Sequence, residues 1–480
     1  MKKLDLIIVG VIIFFGLTAR LYKIDIPLAD FHSWRQADTA AVARNFTRTG
    51  YDLLHPRYDD LANIQTGKYN PQGYRMVEFP IYNTLTALSS QITRMPIHIA
   101  GRLITVGFSL LVIFCIYYLL KYEIGTLGAI FGSLFFALQP FIVYYTRVVL
   151  PDGFSMSLAM ISITIAYRYR YGIVNKTAAS KCPCVFISAS FLAAAILVKP
   201  TAVFFLLPFI YLYLSTHRRA SWDYPGLLIY PLITILPTLL WRVWIGQFPE
   251  GIPASSWLFY AVNTGGALTP IFMRPAFFRW IFYERIFLII SGAWSFILIF
   301  IGTISIKPKS YFIPIVSISS LFFLLIFQGG NVQHDYYQIM ILPTLALLVG
   351  VGASTILKSK SIFHPVIAPV GVVSILFLGM IFSFNQVKDH YNTDGRLLTM
   401  SRLIQTLTPF DALIATDTTG DTTLLYLSDR RGFPALTDSY EVLKTKGIQY
   451  VVTSSQSEKI LLNKIGKKIF ENSDFGIYSL

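Results

Sequence analysis

The 480-residue sequence predicts an all-α polytopic membrane protein with a small α/β domain at its C-terminal end. Three observations favour this class. Only 14% of the residues are charged, against roughly 25% in a typical soluble domain, and 54% are hydrophobic. Apolar runs long enough to cross a bilayer recur along the chain. The composition then changes sharply after residue 385, where short alternating segments replace the apolar runs.

The apolar runs define the predicted transmembrane helices. A hydrocarbon core about 30 Å thick requires roughly 17 to 25 apolar residues per helix, and about eleven runs meet this requirement. They are residues 4–22, 99–119, 125–144, 153–168, 184–198, 201–215, 225–246, 286–305, 311–328, 337–357 and 364–384. The first run is long for the apolar region of a signal peptide and has no clear small-x-small cleavage site, so we expect it to remain as a helix.

The cations predict the orientation of these helices. The formal net charge is +15, and lysine and arginine concentrate in alternate connections, as they do in cytoplasmic loops. With a cytoplasmic N-terminus, the inner connections hold Lys2, Lys3, Lys121, Arg168, Arg170, Lys176, Lys181, Arg218, Arg219, Lys307, Lys309, Lys358 and Lys360. The basic excess therefore indicates the topology of a multi-pass cell-membrane protein and not a nucleic-acid-binding surface.

Three outer segments are too long to be simple connections: residues 23–98, 247–285 and the tail. We expect residues 1–385 to form a transmembrane domain whose outer loop 23–98 carries surface helices. Residues 386–480 are expected to form a small extracytoplasmic α/β domain. In that tail DALIATD and IQYVV have the pattern of strands, and SYEVLKTKG that of a helix ending at Gly447.

The three cysteines predict no special chemistry. Cys115 lies in an apolar run, and Cys182 and Cys184 form a CPC pair in a lysine-containing loop. Neither a disulfide framework, a zinc site nor a redox motif is indicated by this number and spacing.

The first outer segment contains DFHSWRQADTAAVARNFTRTG, which combines acids, cations and aromatic residues. A helix from about Trp34 would place Trp34, Asp38, Val42 and Phe46 on one stripe. Two readings of Asp38 follow. Its carboxylate either lies in the first helical turn, where the helix dipole favours it, or faces a membrane cavity from an amphipathic surface helix as a general base.

Five further polar residues, in four segments, are assigned to the same outer side. Glu78 in VEFPIYNTLTAL and Asp152 in TRVVLPDG are either helix N-terminal acids or cavity acids. Lys199 in ILVKPTAVFFLLP either snorkels or binds an anionic headgroup. His334 and Tyr337 in GGNVQHDYYQIMILP belong either to an interfacial aromatic belt or to a substrate site. We expect these groups to converge on one outer cavity.

The order of these motifs resembles the GT-C class of integral-membrane glycosyltransferases. The segments HSWRQADTAAVARNF, EFPIY, LPDG, VKP and HDYYQIMILP are similar to the branch that contains protein O-mannosyltransferases and the aminoarabinose and galacturonic acid transferases of lipid A. The resemblance covers residues 1–385. It implies a polyprenyl-phosphate sugar donor, an outer active site, and inversion at the anomeric carbon. A lipid, glycan or protein acceptor is expected, and a divalent metal is left open.

The resemblance also implies that an aspartate of the first outer loop is the base. Members of this branch often have two adjacent acids where this sequence has Arg35 and Gln36. Asp38, one turn further on, is therefore the preferred base, and Asp30 is the reserve.

The remaining roles implied by the resemblance concern the donor. Lys199, with Arg35 or Arg147, would stabilise the departing phosphate, because a cation beside a developing negative charge lowers the barrier. Glu78 and Asp152 would be cavity acids. His334 and Tyr337 would complete the donor site.

Two other functional classes compete with this reading. A transporter or lipid-linked sugar flippase typically carries ionisable residues near the membrane midplane and shows internal repeats. The predicted spans are largely uncharged at their centres, and no repeat is evident in the sequence. A non-catalytic scaffold would not need acids and a lysine gathered on one side.

Overall fold

The computed structural model describes residues 1–174, 184–216, 224–253, 270–305 and 310–480. The chain divides into two compact units, each built from three separate stretches. Unit 1 comprises residues 1–24, 102–241 and 256–389, and unit 2 comprises residues 25–101, 242–255 and 390–480. The predicted domain boundary at residue 385 stays a prediction. Outside the described residues lie Cys182 and the inner-loop cations Lys176, Lys181, Arg218, Arg219, Lys307 and Lys309.

Helices dominate the described chain. The first half contains α1 (Lys3–Arg20), α2 (Ser33–Thr49), α3 (Ile81–Thr93), α4 (Ile97–Glu123), α5 (Thr126–Leu138), α6 (Pro140–Tyr145), α7 (Pro151–Val174), α8 (Cys184–Val198), α9 (Leu206–Thr216) and α10 (Tyr224–Ile245). The second half contains α11 (Pro275–Phe278), α12 (Phe296–Ile304), α13 (Phe312–Ile326), α14 (Gln328–Gln333), α15 (Leu342–Lys358), α16 (Ile367–Val387), α17 (Gly395–Leu407), α18 (Thr423–Ser428), α19 (Tyr440–Thr445) and α20 (Gln456–Ile465). The strands are β1 (Leu413–Thr416), β2 (Arg431–Phe433), β3 (Tyr450–Thr453), β4 (Lys467–Glu471) and β5 (Gly476–Ser479).

Every predicted span contains a helix, but the observed helices differ in length. Among the described residues, three helical segments are long and apolar enough to cross a membrane: Ile97–Glu123, Asp335–Lys358 and Ile367–Leu407. Shorter apolar helices occupy Thr126–Leu138, Val185–Val198, Pro200–Ser215, Ile229–Ile245 and Phe312–Ile326. The predominantly helical fold with a small C-terminal sheet is confirmed, whereas eleven spans stay a prediction.

Two predicted spans are interrupted, and the interruptions meet in unit 1. The span 125–144 breaks at Gln139, whose backbone is extended because the next residue is a proline. The span 286–305 divides into a π-helix, Arg279–Ile290, and α12. The Gln139 side chain donates to the carbonyl of Ile290 at 2.6 Å. This bond satisfies a carbonyl at the end of the π-helix, as an apolar surrounding requires.

The C-terminal part of unit 2 is a five-stranded mixed sheet in the order β2-β1-β3-β5-β4. Strand β1 pairs in parallel with β2 and β3, while β5 is antiparallel to β3 and β4. The predicted strands correspond to β1 and β3. The predicted helix corresponds to α19, which ends just before Gly447, where φ is +83°. A glycine reaches this left-handed conformation without steric cost and stops the helix.

The first outer segment continues this sheet. Asp60 pairs in parallel with Gly432 of β2. Leu61 N–H donates to the Gly432 carbonyl at 2.8 Å, and Gly432 N–H donates to the Asp59 carbonyl at 2.9 Å. Leu61 also enters the apolar core on one face of the sheet, together with Phe433. The loop and the tail therefore form one folded unit although more than 300 residues of sequence separate them.

Candidate active site

Helix α2 positions the candidate base within unit 2. It begins at Ser33, directly after His32, whose backbone is left-handed with φ of +55°. Asp38 therefore lies in the second helical turn, and its placement in the first turn is wrong. Asp38, Val42 and Phe46 are all buried, so these three residues of the predicted stripe pack in the interior of unit 2.

The Asp38 carboxylate has a charged partner on one oxygen and a hydroxyl on the other. Arg75 Nη2 lies 2.9 Å from Oδ2, and the Thr422 hydroxyl donates to Oδ1 at 2.6 Å. The side chain of Asp38 has no exposed surface. Burial raises the pKa of Asp38 above its ordinary value, and the charge of Arg75 and the hydrogen bond from Thr422 oppose that rise.

The other predicted polar residues of this segment are also paired. Arg35 Nη2 forms an ion pair with Glu78 Oε1. Glu78 lies shortly before α3, and its role as a helix-capping acid or a cavity acid stays a prediction. Asp30 accepts a hydrogen bond from Gln36 Nε2 at 2.8 Å and is 4% exposed. Unit 2 thus brings together Asp30, Arg35 and Glu78 around the start of α2.

Sequence reasoning missed a second buried acid beside Asp38. Asp60 is fully buried, and it accepts hydrogen bonds from the Ala62 amide at 2.7 Å and the Tyr58 hydroxyl at 3.3 Å. Burial raises the pKa of Asp60 to about 7, and the charge of Asp38 adds to the rise. Arg75 and Thr422 were missed as well, because neither lies in a motif and Thr422 is 384 positions from Asp38.

Unit 1 holds the predicted donor residues other than Arg35, which belongs to unit 2. Lys199 follows α8, and its Nζ lies 3.0 Å from Oδ1 of Asp152, which is in the first turn of α7. The ammonium also lies 5.0 Å from the ring centroid of Tyr337 and 6.0 Å from that of Tyr336. His334 stacks on Tyr336 at 5.1 Å. The structure thus places the VKP, LPDG and HDYY motifs side by side.

Arg147 has a different environment. It is fully buried, and its Nη1 donates to the carbonyls of Tyr22 and Lys23 at 2.6 and 2.9 Å. Arg147 therefore fixes the chain that leaves α1. Its predicted contact with a phosphate stays a prediction.

A second cation near the HDYY motif was missed. Arg285 lies on the π-helix, and it donates to Gln338 Oε1 at 3.1 Å and to the Val332 carbonyl at 3.0 Å. π-Helical geometry is uncommon and occurs frequently at functional sites. The sequence signal was a single arginine at the edge of an apolar run, which did not distinguish it from a loop cation.

The predicted site residues thus form one group around the start of α2 in unit 2 and another around Lys199 in unit 1. Convergence of the two groups on one cavity stays a prediction. In the described part of the chain, no group of three or more histidine, cysteine, aspartate and glutamate side chains is arranged to hold a metal ion.

Comparison with known proteins adds to this geometry. Residues 78–241 match the family model described as dolichyl-phosphate-mannose-protein mannosyltransferase. The fold resembles crystal structures of ArnT from Cupriavidus metallidurans. The one bound to undecaprenyl phosphate has a TM-score of 0.67 and 14% sequence identity, and the match covers 98% of this chain and 97% of that one. The chain therefore has the fold of ArnT, and residues 78–241 are similar to the mannosyltransferase family.

A similar fold occurs in structures of lower similarity. The oligosaccharyltransferase of Archaeoglobus fulgidus in complex with Zn and sulfate has a TM-score of 0.62 and 12% identity, with 93% of this chain and 68% of that chain covered. No curated protein matches significantly by sequence. The resemblance indicated by the motif order is therefore confirmed by the family match and by the fold.

Proposed function

We propose that this protein transfers a sugar from a polyprenyl-phosphate donor to a lipid, glycan or protein acceptor at the outer face of the cell membrane, with inversion at the anomeric carbon. The observation that carries the proposal is the pairing of Lys199 with Asp152 beside Tyr337. Burying an ion pair among apolar residues costs desolvation energy, so such pairs frequently mark functional sites. ArnT was solved with undecaprenyl phosphate bound, and AglB of A. fulgidus with a dolichol-phosphate.

Lys199 supplies the charge that the leaving group needs. A phosphate ester is already a competent leaving group, so stabilising negative charge on the departing phosphate matters more than protonating it. Thr201, two residues beyond this lysine, lines a small recess together with Phe204 and Phe323.

Asp38 is the proposed base, and Asp30 is the reserve. The carboxylate takes the proton of the acceptor hydroxyl while the acceptor oxygen bonds to the anomeric carbon. The bond from that carbon to the phosphate oxygen breaks, and the electron pair leaves with the lipid phosphate. Attack from the side opposite the phosphate inverts the configuration. Burial supports the assignment, because it makes the Asp38 carboxylate more basic than an exposed one.

Replacing the lysine tests the donor site. We expect Lys199→Met to weaken binding of undecaprenyl phosphate by about 10- to 100-fold, which is the range expected for one charge-assisted hydrogen bond. The measurement is equilibrium binding of radiolabelled undecaprenyl phosphate to the purified protein in nanodiscs.

Lys121→Met is the matched control for that experiment. Lys121 forms the same kind of pair in unit 1, with Nζ 2.5 Å from Oδ1 of Asp5. It lies on the predicted cytoplasmic side. We expect its replacement to leave lipid phosphate affinity unchanged. Equal losses in both variants would show that Lys199 acts only through the stability of unit 1.

Replacing the base tests the chemistry. Asp38→Asn keeps the size of the side chain and removes the proton acceptor, so transfer should fall by about 10² to 10⁴. Binding of undecaprenyl phosphate should be unchanged. Asp30→Asn is measured in parallel to test the alternative base. If Asp38→Asn keeps full transfer activity and Asp30→Asn loses it, Asp30 is the base.

A further inference from the structure

The C-terminal segment contacts the helix that carries the proposed base. Thr422 precedes α18, and its hydroxyl donates to Asp38 Oδ1 at 2.6 Å. The next residue, Thr423, donates to the Ser33 hydroxyl at 3.0 Å. At the other end of α18, Asp429 accepts two hydrogen bonds from Arg48, at 2.8 and 2.7 Å. Helix α18 is therefore fixed against α2 at both of its ends.

The contact with Asp38 differs from the other two because it reaches a buried carboxylate. Thr422 is 2% exposed. The Thr422 hydroxyl holds Oδ1 by a hydrogen bond, and the Arg75 guanidinium faces Oδ2 as an ion pair. Further charged and titratable groups act on Asp38 from the surrounding elements: Arg35 on α2, Tyr58 and Asp60 in the first outer segment, and Asp421 before α18.

We infer that Thr422 is a positioning residue for Asp38, so that the C-terminal segment is a working part of the transfer site. This inference rests on the proposed function, since it assigns a partner to the proposed base. It also gives the C-terminal tail a direct role at the transfer site.

The Thr422 hydroxyl affects the pKa of Asp38, which a contact that only packs the two helices together would not do. A hydrogen bond donated to a carboxylate stabilises the ionised form. Removing the Thr422 hydroxyl takes away this hydrogen bond and leaves the Arg75 ion pair in place. The ionised form of Asp38 is then less stable, so the pKa of Asp38 rises. A charge-assisted hydrogen bond is worth enough to shift this pKa upward by about one to two units.

The test uses the full-length protein in nanodiscs and reads the carboxyl group directly. Infrared difference spectra are recorded as a function of pH, and the Asp38 band is assigned by its loss in Asp38→Asn. In Thr422→Val, which keeps the shape of the side chain, we expect the titration midpoint to move up by about one to two pH units. Thr422→Ser should restore the wild-type midpoint.

Thr423→Val is the matched control. It removes a hydroxyl of the same helix that bonds to Ser33 and not to Asp38. We expect no shift of the Asp38 midpoint. An unshifted midpoint in folded Thr422→Val, or equal shifts in both valine variants, would overturn the inference.

Transfer kinetics separate this inference from the proposed function. With an undecaprenyl-phosphate sugar as donor, Thr422→Val should move the acidic limb of the kcat profile upward by the same amount and leave the KM for the donor unchanged. One outcome is that Asp38→Asn is inactive while the acidic limb of the kcat profile of Thr422→Val is unshifted. In that case the positioning role of Thr422 is wrong and the proposed sugar transfer is unaffected. If Asp38→Asn is fully active, the assignment of the base fails first.

Discussion

We expect the protonation of Asp60 to make the stability of unit 2 depend on pH. Its pKa rises to about 7 because of burial, while an unfolded aspartate titrates near 4. The folded state therefore binds the proton more tightly. The resulting stabilisation is present at acidic pH and is lost as the pH rises from about 4 to about 7, with a magnitude on the order of 4 kcal/mol.

Asp60→Asn tests this titration. The amide keeps an oxygen to accept from Ala62 N–H and has no charge to bury. We expect the variant to gain stability relative to the wild type as the pH rises, with the largest advantage above pH 7. Thermal unfolding in detergent between pH 4 and pH 8 measures it. A difference independent of pH would show that Asp60 is ionised in the folded protein.

For single residues, the sequence predicted which side chains belong to the candidate site better than it predicted which side chains they contact. The pairing of Lys199 with Asp152 joins two motifs that were singled out independently. Arg75 and Thr422 were not predicted, because a guanidinium and a hydroxyl acquire meaning only when folding brings them to Asp38. A single sequence contains no information on such pairs across hundreds of residues.

Helices α12 and α15 pack closely against each other because each has a glycine at the contact, Gly302 in α12 and Gly352 in α15. A Cβ on Gly302 would lie 2.1 Å from the Leu348 carbonyl oxygen, and one on Gly352 would lie 2.0 Å from the Leu298 carbonyl oxygen. Both obstructing atoms belong to the backbone, so neither can move aside as a side chain would. Small residues at helix contacts are how membrane helices obtain dense packing.

Gly352→Ala should therefore separate these two helices and destabilise unit 1 by about 2 to 3 kcal/mol. Gly107→Ala in α4 is the control, since nothing lies within 4 Å of its added Cβ and alanine favours a helix. Thermal stability in detergent compares the two. Equal melting temperatures would contradict the packing described for α12 and α15.

The sequence located these elements well, but not their internal breaks. The predicted span 184–198 coincides with α8, because hydropathy alone defines it. The π-helix at Arg279–Ile290 was not foreseen. Its geometry depends on packing and on the Gln139 hydrogen bond, which no periodicity of the segment indicates. The buried position of α2 was missed for a related reason, because its polar composition resembles that of a surface helix.

For the whole molecule, the distribution of cations predicts the topology. We expect Arg94 and Lys468 to face the outside and Lys360 the cytoplasm. Single cysteines at these exposed positions, introduced into a cysteine-free background, should react with a membrane-impermeant maleimide in intact cells at the first two sites only. Labelling of Lys360→Cys in intact cells would reverse the orientation.

The central claim is that the protein breaks the bond between a sugar and its lipid phosphate. The direct measurement is incubation of the purified protein in liposomes with undecaprenyl-phosphate carrying labelled mannose, glucose, galactose or aminoarabinose. We predict release of undecaprenyl phosphate from at least one donor, with loss of the reaction in Lys199→Met. Movement of intact labelled lipid between leaflets, without release of undecaprenyl phosphate from any donor, would contradict the account and indicate a flippase.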